Sequence, residues 1–276
     1  MEFVEIERRQ NVVVKLAREA SKMVMESTGK MKIEFKESFA DLVTETDKAV
    51  EKFLFEELKK AFPDDKFIGE ESDQKDSWTD LPTWIIDPID GTTNFVHTFP
   101  YFCISIGFTF NRTPTLGVIF NPSLDEMFTA IKGNGAFVET SNQKVQIKVR
   151  NSVTKLQDAL INTEFGSSRD EEKKKAIFDN LEAIAWASHG IRCLGSAAMN
   201  ICSVASGHSD GYYEFGVHIW DMAAAVLILT EAGGFVCDTK GGSIDLQSRR
   251  LVGACNEEIA KEIVKSLKVH LILERD

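Results

Sequence analysis

Val12, Val13, Leu16, Ala17, Ala20, Met23 and Val24 recur at intervals of three and four, with Lys15, Arg18, Glu19 and Lys22 between them. That period predicts a helix over about 4–27 with one apolar stripe. A second stripe, Val50, Phe53, Leu54 and Leu58, predicts a helix over 48–62. The capping types Thr44, Thr46 and Asp47 open it and Pro63 closes it. The pattern then shortens to strands at 66–68, 83–86, 103–110, 115–120, 127–131 and 145–149, separated by turn signals such as Asn-Arg-Thr-Pro and Asn-Pro-Ser. The second half mixes both periods: strands near 159–162 and 211–215, helices near 170–185, 196–205, 221–232 and 256–267, and further short strands. Helices and strands fall in layers without a regular βαβ beat, which predicts an α+β class.

The chain has 276 residues, 43% hydrophobic and 27% charged, enough for a sizeable core. Its net charge of -11 and the lack of a basic block argue against sequence-independent nucleic-acid binding. A small anionic substrate stays open, provided metal ions or backbone amides supply positive charge. The longest apolar run, 222–229, is far short of the roughly 20 residues of a membrane span, and MEFVEIERRQ does not read as a signal peptide. Five scattered cysteines without a C-x-x-C pair predict reduced, buried thiols and a cytosolic protein. Neither a G-x-x-x-x-G-K-[ST] loop nor a strand-linked G-x-G-x-x-G occurs.

One stretch, WIIDPIDGTTN (84–94), runs from apolar residues straight into two aspartates. Burying ionised carboxylates is costly without a partner or a metal. The pattern predicts a strand that ends at Ile86, with Pro88 disfavouring helix at Asp87. Asp87 and Asp90, three apart, would face opposite ways on a flat strand, so a shared site requires a bend near Ile89. Asp90-Gly91 is a turn signal, and Thr92, Thr93 and Asn94 can open a short helix whose free N–H groups bind an anion. Two carboxylates beside such amides suit a metal-assisted phosphate site; two exposed turn aspartates with a cap is the plainer alternative. Glu70 and Glu71 after a short strand fit either a solvated loop or further ligands. Glu214 ends a strand, and Asp221 reads as the N-cap of an apolar helix.

Taken together, GEES (69–72), DPIDGTTNF (87–95) and WDMAAAVLILTEAGG (220–234) resemble the inositol monophosphatase family. The resemblance runs from KESFADLVTETD (36–47) through LGSAAMN (194–200) to SIDLQSRR (243–250). HGIRCLGSAAMN and YYEFGVHIWD are closer to the animal-type enzymes than to nucleotide or fructose phosphatases. The resemblance implies a five-layer αβαβα sandwich in one domain, with an N-terminal α+β part of about 1–150 and a C-terminal α/β part of about 151–276. It implies a cytoplasmic homodimer that hydrolyses inositol monophosphates through water activated by two to three Mg²⁺ ions, with lithium sensitivity and a place in inositol recycling. Another sugar phosphate or a nucleotide 3′-phosphate remains the alternative substrate. Carried over by position, Glu70, Asp87 and the Ile89 carbonyl hold one Mg²⁺; Asp87, Asp90 and Asp221 hold a second; Glu70 assists a third. Gly91 and Thr92 amides take the phosphate, Asp47 and Thr92 with Glu70 orient the attacking water, and Gly195, Ser196, Ala197 and Glu214 contact the alcohol.

Other residues stay open at this level. Lys36 matches a flap lysine or is a solvated loop lysine. His218 reads as packing near the site, His97 as structural, Ser167 and Ser168 as substrate contacts or loop caps, and Cys202 as core. Phe39 stands where many relatives carry proline, and 137–147 lacks their Asn-Gly hairpin turn, which predicts a longer or looser hairpin.

Overall fold

The computed structural model describes residues 1–30, 32–36, 40, 42–72 and 77–276; Phe39 lies outside them. Helix α1 (Phe3–Ser27), a small hairpin of β1 (Ile33–Phe35) and β2 (Leu42–Thr44), and helix α2 (Glu45–Ala61) come first. Then follow β3 (Lys66–Gly69), β4 (Thr83–Asp90), α3 (Thr92–Val96), β5 (Cys103–Phe110), β6 (Thr113–Asn121), β7 (Glu126–Ile131), β8 (Ala136–Glu139) and β9 (Lys144–Ile147). The second half carries β10 (Leu160–Thr163), α4 (Glu171–Ala187), β11 (Gly190–Arg192), α5 (Ala197–Ala205), β12 (Gly211–Phe215) and α6 (Ile219–Glu231). It closes with β13 (Phe235–Cys237), β14 (Arg250–Ala254) and α7 (Glu257–Ser266).

Strands β3 to β9 form one sheet in chain order, parallel only between β3 and β4. The second sheet runs β11-β10-β12-β14-β13, with β10 parallel to both its neighbours. Helices α1 and α2 cover the outer face of the first sheet, α5 and α6 lie between the sheets, and α4 and α7 close the far side. The order is therefore αβαβα, with helices on both faces of the larger sheet. Every residue of β4 is buried, which explains its near-continuous apolar run rather than alternation. Trp84, Ile86, Ile104 and Ile106 pack toward α1 and α2, while Ile85 and Ile119 pack toward α6.

Strand β4 does not end at Ile86; it runs on to Asp90. Pro88 is tolerated because pairing slips there: Asp87 pairs with Ser105 and Asp90 with Cys103, so four residues face three. The extra residue turns a three-residue separation into a two-residue one on the partner strand, and both aspartates come to one face. The bend inferred from the sequence is this bulge. The hairpin expected over 137–147 is β8 with β9, in which Glu139 pairs with Lys144 across a four-residue connection, longer than a two-residue Asn-Gly turn.

Helix α6 lies against β5 and β6 at unusually short range. A Cβ on Gly107 would stand 2.8 Å from Ala223 Cβ, and one on Gly117 would stand 2.7 Å from the Ala224 carbonyl oxygen. Glycines facing the Ala223–Ala225 stretch thus let backbone meet backbone, and this fixes where α6 begins. Helix α6 starts at Ile219, so Asp221 is its third residue and His218 its N-cap, not Asp221. Gly117→Ala must displace backbone rather than a side-chain tip, and is expected to cost about 1–3 kcal/mol in chemical denaturation. Gly242→Ala, with nothing within 4 Å of the added carbon, should be close to neutral in the same measurement.

Candidate active site

The bulge delivers Asp87 and Asp90 to the start of α6, where Asp221 meets them. Ligand oxygens of these three carboxylates lie within 4.8 Å of one another. Each is oriented by backbone. Asp87 Oδ1 accepts from Ile89 N at 2.9 Å, and Asp221 Oδ2 accepts from His218 N at 2.7 Å. Asp90 sits at the N-terminus of α5, accepting from Ala198 N at 2.7 Å, Ala197 N at 3.3 Å and Ser196 Oγ at 2.6 Å. Helix N-terminal amides favour negative charge, so Asp90 is the best-accommodated anion of the three.

The titration behaviour follows this difference. Burial, then the Glu70, Asp221 and Asp90 charges, push Asp87 well above the carboxylate range. Asp221 is pushed up by burial and then by Asp90, and it shares a hydrogen bond with Asp87. Asp90, also driven by burial, reaches only about 6, because Ser196 and the α5 amides oppose the shift. Like charges are thus gathered without the compensation such a group requires. The donors are carboxylate and carbonyl oxygens, the set a hard divalent cation takes, so the residues fit a Mg²⁺-type ion. Cys103 Sγ stands 3.9 Å from Asp90 Oδ2, and burial pushes its thiol up, away from thiolate chemistry.

Asp47 approaches from the first layer. Thr44 caps α2 and Asp47 closes the box, accepting from Thr44 N at 3.0 Å. Its other oxygen lies 3.3 Å from Thr92 Oγ1, which also reaches the Ile89 carbonyl at 3.1 Å. Burial pushes Asp47 up to about 6, against the Thr44 hydrogen bond. Lys36 places its ammonium 2.8 Å from Glu70 and 2.6 Å from Glu71. Burial works against that ammonium, yet the two carboxylates outweigh it and raise its pKa. Glu71 is raised to about 7 by burial and then by Glu70.

Glu70, Asp87, Asp90, Thr92 and Asp221 line one side of a cleft of about 500 Å³. Gly195, Ala197 and Glu214 line the other side, with Glu164 below them. Gly91 and Gly195 meet there: both have positive φ, +91° and +89°, and a Cβ on Gly91 would touch the Gly195 carbonyl at 3.0 Å. Ser196 is buried with its hydroxyl turned onto Asp90, away from the cleft lining. Glu164 accepts from Leu194 N at 2.6 Å, Gly195 N at 2.7 Å and Asn200 Nδ2 at 2.7 Å, which holds the loop before α5. Glu214 accepts from the Tyr212 hydroxyl. Burial, then Glu164, push Glu214 up to about 8, against Tyr212 and Lys173.

Several sequence readings resolve here. His97 is not structural: it is exposed at the end of α3 and lines the cleft. Ser167 lines the cleft, whereas Ser168 binds Asp170 at the start of α4. His218 stacks on Trp220 with ring centroids 4.5 Å apart and bonds Asp276 at 2.6 Å, the packing role expected of it. Cys202 is core, but Cys193 is exposed rather than buried. Glu164, Tyr212 and the bridging role of the Asn94 side chain, which donates to the Leu194 and Tyr101 carbonyls, were not anticipated; the TEFG segment that contains Glu164 carries no distinctive spacing.

The profile of the Inositol monophosphatase family matches residues 5–271. The chain is 46% identical to inositol monophosphatase 1 of Homo sapiens, over 95% of this chain and 95% of that one. It is 43% identical to inositol monophosphatase 3 of Solanum lycopersicum, over 95% and 97% of the two chains. Among solved structures, the extragenic suppressor protein suhB of Bartonella henselae superimposes with a TM-score of 0.86 at 33% identity, covering 96% of this chain and 100% of that one. The Thermotoga maritima IMPase superimposes with a TM-score of 0.84 at 32% identity, over 94% and 96%. With a cluster of hard oxygen donors at the junction of its two halves and relatives alike over almost its full length, the chain belongs to the inositol monophosphatase family of phosphatases.

Proposed function

We propose that this protein hydrolyses inositol monophosphates to inositol and inorganic phosphate, with Mg²⁺ as its cofactor. The observation that carries the reading is the convergence of Asp87, Asp90 and the half-buried Asp221 within 4.8 Å, with no ion-pair partner for them among the described residues, at the floor of a cleft. Glu70, Asp87 and the Ile89 carbonyl would hold one ion, Asp87, Asp90 and Asp221 a second, and Glu70 a weaker third. Bound there, divalent ions supply positive charge to the phosphoryl oxygens and acidify water.

The chain's own residues do the rest. Amides of Gly91 and Thr92 at the start of α3 point at the phosphate. Asp47 anchors the Thr92 hydroxyl, and with Glu70 the pair orients a water for in-line attack; no nucleophilic serine or cysteine is called for. The cleft wall of Gly195, Ala197 and Glu214 receives the alcohol, Glu214 accepting hydrogen bonds from ring hydroxyls. Ser196 acts one step back, through Asp90. The human and tomato relatives named for inositol monophosphate support this substrate, and the same reading makes the chain one domain and a cytoplasmic homodimer. Among the described residues no helix is long and apolar enough to cross a membrane.

Phosphate release from inositol 1-phosphate is expected with Mg²⁺, to stop with chelator, and to fall on adding Li⁺, a small ion that can take a Mg²⁺ position without its charge. Release that ignores chelation, or a larger kcat/KM for a nucleotide 3′-phosphate, would overturn the reading. Asp90→Asn should lower turnover at least about 100-fold at saturating Mg²⁺, since both a ligand charge and the α5 anchor are lost; near-normal turnover argues against the assigned ligand set.

Glu214 sets a pH dependence of stability in the metal-free protein. Its folded-state pKa is raised from 4.5 to about 8, so its contribution is fully present below pH 4.5 and lost as pH rises through 8. Glu214→Gln removes that loss. Its stability relative to wild type should therefore increase between pH 5 and pH 9, by on the order of a few kcal/mol, read from denaturation midpoints. Carboxylates remote from Glu214 are common to both proteins and cancel in the difference.

A further inference from the structure

The wall around Glu214 contains a buried cation with no part in the steps above. Within the run Glu171-Glu172-Lys173-Lys174-Lys175, Lys174 pairs with Glu171 and Lys175 with Asp179 on the exposed face of α4. Lys173 is turned inward and only 5% exposed. The position is unfavourable twice, because burial opposes the charge and the first turn of a helix repels cations. Its ammonium occupies a slot between two glycines: a Cβ built on Gly166 or Gly216 would stand 2.6 or 2.3 Å from Nζ. Both glycines have positive φ, +65° and +99°, and both line the cleft. A side chain at either would fill the slot. The same point beside Gly166 lies 3.8 Å from Glu214 Oε1, so the lysine reaches the neighbourhood of that carboxylate.

We propose that Lys173 is a positioning residue of the alcohol pocket: threaded between Gly166 and Gly216, it supplies the counter-charge that keeps Glu214 an acceptor for substrate hydroxyls. This rests on the inositol monophosphatase reading above. After burial, the four strongest influences on Glu214 are Tyr212 on its own strand, Glu164 at the end of β10, Asp90 from β4 and Lys173 from α4, and the Cys193 thiol also lies within its field. Glu164 and Asp90 are like charges, and Lys173 is the cation among the four. Around Lys173 stand Glu214, Asp170, Arg169 and Arg249; burial lowers its pKa, and Glu214 is the chief influence raising it. Each group thus shifts the other toward its charged form, against the burial that opposes it. Without the ammonium, Glu214 would keep its proton to higher pH and lose acceptor sites for hydroxyls, while phosphate and water, held across the cleft, would be unaffected.

Two readouts test this. In the metal-free protein, the carboxyl ¹³C resonance of Glu214 should titrate higher in Lys173→Met than in wild type, by about one pH unit or more; an unmoved midpoint overturns the coupling. In the Mg²⁺-loaded enzyme, Lys173→Met should raise KM for inositol 1-phosphate several-fold at pH 7 with kcat retained, and KM should return toward wild type at pH 9. KM for ethyl phosphate, which has no ring hydroxyls, should not change. Equal losses on both esters would mean a merely structural role and overturn the proposal. If Lys173→Met folds poorly alone, the Glu214→Gln background serves: there the lysine substitution should change KM less than twofold, and a full effect in that background overturns the proposal. Wild-type enzyme that fails to hydrolyse inositol 1-phosphate would sink the functional reading, while the carboxyl titration would still judge the pairing of Lys173 with Glu214.

Discussion

Mutual repulsion among buried carboxylates is the constraint around which the molecule is arranged. Asp87, Asp90 and Asp221 would move apart or keep protons if left alone, and the fold denies them the first option. A bulge in a fully buried strand, a glycine–alanine contact that sets a helix start, and the amide end of α5 hold the three in place. The cost is borne by the large apolar cores on either side of the first sheet, and it is relieved by a bound cation. Stability and cation affinity are therefore two readings of one electrostatic fact.

The division of labour across the cleft follows from backbone geometry. One wall is built from the end of β4, the start of α3 and the start of α6, elements whose terminal N–H groups and carboxylates would address phosphate and ions on the proposed reading. The other wall comes from the loop before α5, the end of β12 and the approach to α4, where Glu164 and Glu214 sit beneath glycines. Gly91 and Gly195 bring these walls into contact. On the proposed reading, phosphate and alcohol meet different walls of the cleft, while Asp221 at the start of α6 brings the second half of the chain to the ion wall as well.

Much of this was readable in the sequence, for specific reasons. The helices announce themselves because their apolar stripes have the right period, and the need for a bend near Ile89 follows from counting residues between two aspartates. The strand end at Ile86 was misjudged because proline is read as a breaker, whereas a bulge needs no N–H at that point. Asp221 was taken for a cap because aspartate is a good one, yet it caps from inside, reaching back to the His218 amide. Lys173 was invisible: in a run of three lysines nothing in the one-dimensional pattern says which is buried. The longer hairpin of β8 and β9 was legible because its connection of Thr, Ser, Asn and Gln has no Asn-Gly turn to tighten it.

The carboxylate of Asp47 completes the first turn of α2 with one oxygen and meets Thr92 with the other. If Asp47 and Thr92 orient the attacking water as proposed, docking that helix and arming the pair are a single event. On that reading, a chain whose outer helical layer came away would lose its hydrolytic capacity along with its shape.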